Sequence, residues 1–122
     1  MKSHAQVVIV GGGIMGVSLL YHLAKEGWID TVLIEKGELT SGSTWHAAGQ
    51  CPHFVGSFNA AKIHNYSNKL YQQLENETGQ STGWHGCGSL RLALKEEDVN
   101  WFHYVKGILD NVGSPAELVP KE

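Results

Sequence analysis

The apolar positions of this chain fall into blocks with different periods. Gln6 to Val10 is a short apolar run, the pattern of a parallel strand covered on both faces. From Ile14 to Lys25 the apolar residues return on one helical side through Leu19, Leu20 and Leu23, and Gly27 supplies the stop. Thr31 to Glu35 is β-branched and apolar, which predicts a second buried strand. Strand, glycine turn, helix and strand within about thirty residues make a βαβ unit with a right-handed crossover.

Further along, the periodicity weakens and then returns. Gly37 to Gly56 is rich in Gly, Ser, Thr, Ala and Pro and predicts irregular backbone. Asn59 to Thr78 regains helical spacing through Ile63, Tyr66, Leu70 and Leu74, and Gly79 ends it. Ser89 to Leu94 alternates, with Leu90, Leu92 and Leu94 on one face of an expected strand. Glu96 to Val112 predicts a helix whose first turn holds Glu96, Glu97 and Asp98, where the macrodipole favours acidic groups. Its apolar face carries Val99, Phe102, Val105, Leu109 and Val112, and Ala116 to Val119 is a candidate start of another strand. The pattern is α/β: a Rossmann-like βαβ dinucleotide-binding fold, incomplete at the C-terminus.

Composition narrows the function classes. At 122 residues, residues 1–122 form about one small domain and leave no room for a second of ordinary size. Nine basic against twelve acidic residues give a formal net charge of -3, which argues against nucleic-acid or membrane-surface partners. Cys51 and Cys87 are too few for a disulfide scaffold and fit a reducing compartment. The run after Lys2 resembles a signal peptide, but glycines break it, no small-residue cleavage site follows, and it is too short to span a membrane. The expectation is a soluble, cytoplasmic protein.

Gly11, Gly13 and Gly16 satisfy the G-x-G-x-x-G pattern, which on its own is weak. Here it follows a predicted strand, opens a predicted helix and precedes Glu35 by about the twenty residues that a dinucleotide site requires. Gly11 permits the tight turn, Gly13 admits a pyrophosphate to the backbone, and Gly16 lets helix and strand pack closely. The helix N-terminus offers free N–H groups to phosphates. Glu35 can accept both hydroxyls of an adenosine ribose, and its charge repels a 2′-phosphate. FAD is favoured over NAD by the next segment, Thr40-Ser41-Gly42-Ser43-Thr44-Trp45-His46-Ala47-Ala48-Gly49. Its small hydroxyl residues and Ala-Ala-Gly suggest a second helix N-terminus where backbone lies close to a ligand.

GGGIMG and LIEKGELTSGSTWHAAG resemble the flavin-binding N-terminus of the dimethylglycine and sarcosine dehydrogenases, within the D-amino-acid-oxidase-like superfamily. The resemblance continues through SNKLYQQLENETGQSTGW and GCGSLRLA, nearly the whole chain, and Trp-His-Ala-Ala-Gly is its specific part. It implies that His46 carries FAD covalently at the 8α carbon. It also implies that Ile14, Met15, Lys36 and the stretch from Gly42 to Gln50 line the cofactor. Gln50 stands where the family usually has leucine, which changes the neighbouring wall. The 8α-methyl of oxidised flavin is acidic, and its loss of a proton makes that carbon open to attack by a neutral imidazole nitrogen, which leaves a reduced flavin that oxygen reoxidises. The implied activity is oxidation of the C–N bond of a small N-methylated amino acid by hydride transfer to flavin. Formaldehyde is then released, or a one-carbon unit passes to tetrahydrofolate in a C-terminal region. The resemblance leaves the electron acceptor open, and the isolated chain is expected to be inactive. A non-catalytic relative, the regulatory subunit of pyruvate dehydrogenase phosphatase, shares this architecture, as does a related FAD-dependent amine oxidase.

Other constellations carry less. Cys51-Pro52-His53 and His85-Gly86-Cys87 could supply two Cys and two His to zinc, but their spacing is unlike Cys-x₂-Cys and they read as flavin-proximal loop and strand entry. His4, His22, His64 and His103 sit in helical or terminal contexts without evident partners. Trp84, Trp101 and Phe102 are spaced as core residues, and Lys62 and Lys69 as a solvated face. No Ser-His-Asp set and no paired carboxylates are placed for acid–base work, so no catalytic residue is named.

Overall fold

The computed structural model describes residues 3–120, and the chain divides into two compact units, Met1–Gln50 and Cys51–Glu122. In the first unit, β1 (Val7–Val10) leads into α1 (Ile14–Lys25) and then β2 (Thr31–Ile34). The strands pair in parallel, with Val7 opposite Thr31 and Val10 opposite Ile34. The βαβ unit therefore forms with the expected elements, and α1 packs against both strands. Ile9 is the buried centre at 6% exposure, whereas Val10 on the other face is 83% exposed. Cover on both faces, expected from the apolar run, is not present: among the described residues α1 is packed on one side only. Leu19 is likewise exposed, while Leu20 and Leu23 are half-buried.

The second unit is built from α2 (Phe58–Thr78) and α3 (Glu96–Val112), which pack on each other. Both stop at glycines in the left-handed region, Gly79 (φ 70) and Gly113 (φ 68). At the start of α3 the Asp98 carboxylate accepts the Leu94 and Lys95 amides at 3.0 and 3.2 Å. This uses the first-turn acidic residues as the macrodipole argument requires. Val105 and Leu109 form the core at 0% and 2% exposure. The α2 stripe differs from the expected one: Ala61, Asn65 and Asn68 are buried, whereas Ile63 and Tyr66 are exposed. Polar side chains on the inner face are the reason, since Asn65 Nδ2 donates to the Val112 carbonyl at 2.6 Å and Asn68 Nδ2 to the His64 carbonyl at 3.0 Å. A hydrophobic period cannot register an asparagine that fastens two helices together.

Ser89 to Leu94 does not form a strand, and neither does Ala116 to Val119. Leu90, Leu92 and Leu94 are 82%, 73% and 87% exposed. A strand exists only where a second backbone pairs with it, and the described residues provide none here. The segment is instead held by Arg91, whose guanidinium lies 4.5 Å over the Phe54 ring. Phe54 meets Phe102 edge-on at 5.4 Å. Trp84 stacks on Tyr71 at 6.0 Å, but Trp101 is exposed and stacks on Tyr104, so it is not the core residue its spacing suggested.

Candidate cofactor site

The glycine turn joins β1 to α1 and is fixed by contacts that only glycine permits. Gly11 has φ 107, a left-handed conformation that a side chain would strain, and its amide donates to the Ile34 carbonyl at 2.8 Å. A methyl at Gly16 would collide with the Gly11 carbonyl and lie 3.4 Å from Ile9 Cγ2, so the helix sits directly on the end of its strand. Among the described residues no backbone carbonyl accepts from the Met15 or Gly16 amides, the orphan donors of a helix start.

Glu35 stands just after β2 and turns back to this site. Its Oε2 accepts the Gly12 amide at 2.7 Å and its Oε1 the Gly37 amide at 2.9 Å. The Gly12 amide first, then the Gly37 amide, hold the carboxyl below its ordinary value, so Glu35 is an anion at neutral pH. Each oxygen keeps a second lone-pair direction for a hydroxyl donor.

Residues 37–46 fold over the turn, but not as a helix. The backbone makes successive tight turns, with Trp45 N donating to Thr40 and Gly42, His46 N to Ser43 and Ala47 N to Thr44. The expected second helix N-terminus is absent: the Trp45, His46 and Ala47 amides reach back three residues in successive turns rather than four, and Thr40 ahead of them sits at φ 65. Thr40 N donates to the Gly12 carbonyl at 2.9 Å, and Thr44 Oγ1 accepts the Ile14 amide at 2.9 Å. His46 is exposed, and its Nδ1 lies 3.0 Å from the Gly42 carbonyl. A carbonyl can only accept, so Nδ1 carries a proton, and in the neutral imidazole the lone pair then lies on Nε2.

The structure thus brings Gly11, Gly13, Ile14, Gly16, Glu35 and Thr44 together around the start of α1, with Gly42 and His46 paired beside them. Met15, Lys36, Ser43, Trp45, Ala47, Ala48, Gly49 and Gln50 are exposed. Leu39 was not singled out from the sequence, and Thr40 only as the first residue of the 40–49 segment, although Leu39 packs against Gly12 and the Thr40 amide donates to the Gly12 carbonyl. Neither hydrophobic period nor motif marks a residue that acts through its backbone amide.

In the second unit, Cys51 and Cys87 are both free and exposed. No three His, Cys, Asp or Glu among the described residues come together to hold a metal ion. Three histidines expected to lack partners have them: His4 Nδ1 lies 3.0 Å from Ser3 Oγ, His22 Nδ1 donates to the Ser18 carbonyl at 2.6 Å and His64 Nδ1 to the Pro52 carbonyl at 2.8 Å. Lys62 lies 5.5 Å over the Phe58 ring, so it is not simply solvated. His53 contacts Ser114 Oγ at 3.3 Å, and burial, then the nearby His64 and Lys69, lower its pKa. No helix is long and apolar enough to cross a membrane among the described residues.

Residues 6–122 match the family model described as FAD dependent oxidoreductase. The chain is 57% identical over 103 residues to dimethylglycine dehydrogenase of Rattus norvegicus, named as mitochondrial, covering 84% of this chain and 12% of that one. It is 46% identical over 123 residues to the mitochondrial pyruvate dehydrogenase phosphatase regulatory subunit of Mus musculus, covering 100% of this chain and 14% of that protein. Among solved structures, the L-amino acid deaminase from Proteus vulgaris superposes with TM-score 0.80 at 26% identity, over 93% of this chain and 26% of the other. The chain spans a small part of the curated relatives it matches. A glycine turn, an anionic Glu35 and a helix start with free amides are the parts such a fold needs for a dinucleotide, and the chain belongs to the FAD dependent oxidoreductase family.

Proposed function

We propose that these residues form the FAD-binding part of a longer amine-oxidising flavoenzyme, that its substrate is a small N-methylated amino acid of the dimethylglycine or sarcosine type, and that His46 is the covalent attachment point. The observation that carries this reading is the contact of His46 Nδ1 with the Gly42 carbonyl at 3.0 Å: Nδ1–H donates to that oxygen, so in the neutral imidazole Nε2 is the nucleophile, at an exposed turn beside the glycine turn. The Met15 and Gly16 amides are donors for a pyrophosphate, with the helix dipole behind them. Glu35 accepts the ribose hydroxyls, and its negative charge excludes a 2′-phosphate. An FAD held by these residues would supply hydride acceptance from the carbon of the substrate C–N bond, and the one-carbon unit so released would be formaldehyde or would go to tetrahydrofolate held outside these residues. These residues alone are expected to turn over no substrate, because the substrate pocket of such an enzyme lies between this part and a further domain.

The second reading is a non-catalytic regulator, favoured by the 46% identity that extends over the whole chain. The two readings part on one experiment with the full gene product. Anaerobic titration with dimethylglycine or sarcosine bleaches the flavin absorbance if it is an amine-oxidising enzyme. A protein that takes up no flavin at any FAD concentration is the regulator. The free cysteines suit a reducing compartment; we place the protein in the cytoplasm, with a mitochondrial location, the one named for its relatives, as the alternative.

A further inference from the structure

The start of α1 lacks the usual means of capping itself. Its N-cap is Gly13, which has no side chain to offer, and no acidic residue occupies the first turn. The acceptor comes from thirty positions away: Thr44 Oγ1 takes the Ile14 amide at 2.9 Å. Thr44 is half-buried, whereas Ser43, Trp45 and His46 around it are exposed. A methyl at Gly13 would lie 3.2 Å from Thr44 Oγ1, so the missing side chain is what makes room for this hydroxyl. A second fastening lies four residues earlier, where the Thr40 amide meets the Gly12 carbonyl at 2.9 Å. The turns that place His46 begin at these two points.

We propose that Thr44 is a positioning residue: it latches the His46 turn onto the start of α1 and caps that helix without bringing negative charge to it. This rests on the reading of the site as an FAD site. The choice of hydroxyl is the informative part. Aspartate is as good a helix cap or better, because its charge complements the dipole. At this position, however, it would repel a pyrophosphate. A hydroxyl that accepts from Ile14 N still has its own proton to donate toward an anion. Capping and phosphate binding therefore make opposite demands on residue 44, and threonine meets both.

The test uses the full gene product without FAD and three variants, read by hydrogen exchange and thermal midpoint, with FAD titration done in a His46→Ala background, parent included, so that binding stays reversible. Thr44→Val speeds exchange in peptides covering 11–18 and 40–49, lowers the apo midpoint and weakens FAD binding about three- to tenfold, the worth of one hydrogen bond. Thr44→Ser restores all three. Thr44→Asp keeps the apo midpoint and slow exchange but loses FAD affinity about tenfold or more, a separation that a purely structural cap would not produce. Thr44→Val with parental exchange and affinity overturns the latch, and Thr44→Asp binding FAD like the parent overturns the charge argument. If the parent binds no FAD, the cofactor reading fails, while unchanged exchange in Thr44→Val would still refute the latch separately.

Discussion

Gly16→Ala tests how tightly the glycine turn is built. The added methyl would enter the space of the Gly11 carbonyl and stand 3.4 Å from Ile9 Cγ2. A side chain could rotate away, but a backbone oxygen cannot, so either α1 lifts from β1 or the turn opens. Overpacking of this kind costs about 1–3 kcal/mol. Alanine recovers up to about 1 kcal/mol through its better helix propensity, which leaves a net loss of up to about 3 kcal/mol, and a clash with backbone rather than a side chain places it in the upper part of that range. Each kcal/mol lowers the melting midpoint by about 2–8 °C, depending on domain size. The same shift moves the Met15 and Gly16 amides, so FAD affinity falls about tenfold for each 1.4 kcal/mol of binding energy lost. Thermal unfolding of the apoprotein and an FAD titration measure the two effects. An unchanged or raised midpoint with parental affinity would refute the close seating of α1 on the strand end.

Two further perturbations probe separate parts of the account. Glu35 has a folded-state pKa below its ordinary value of 4.5, so it contributes stability above that pH and loses it as pH falls through the depressed value. Glu35→Gln should therefore flatten the acid slope of the apo unfolding midpoint below about pH 4.5, and an identical slope would mean the Gly12 and Gly37 amides do not hold the carboxylate. Val105→Ala removes two buried methyl-sized groups from the α2–α3 core at a cost of about 2 kcal/mol with its cavity. Chemical denaturation showing less than about 0.5 kcal/mol would mean that these helices do not pack on Val105 in solution.

The first fifty residues were the more legible part of the sequence. Strand, glycine turn, helix and strand are each specified by local pattern, and Glu35 follows at a spacing that the fold dictates, so the elements around the site could be named from the residues. The errors lie where the cause is non-local. Leu90, Leu92 and Leu94 alternate as a strand would, but alternation states only which face is apolar and not whether a partner backbone exists. Asn65 and Asn68 break the apolar period of α2 yet occupy its inner face, where each Nδ2 donates to a carbonyl while each Oδ1 is buried without a partner among the described residues. Thr40 and Leu39 shape the site through an amide and a methyl contact, neither of which has a sequence signature. The Trp-His-Ala-Ala-Gly string suggested a helix start by composition. The backbone turns otherwise at Thr40, and the role of Thr44 emerges only when its hydroxyl meets Ile14.

The most direct measurement is the mass of the peptide that contains Ser43 to Gln50, taken from acid-denatured, yellow full-length protein. The account predicts an added FAD mass on that peptide, localised to His46, and its loss in His46→Ala while that variant still binds FAD reversibly. The unmodified peptide mass from a protein that has kept its flavin until denaturation would contradict it, and His46 would then be a neighbour of the cofactor rather than its attachment.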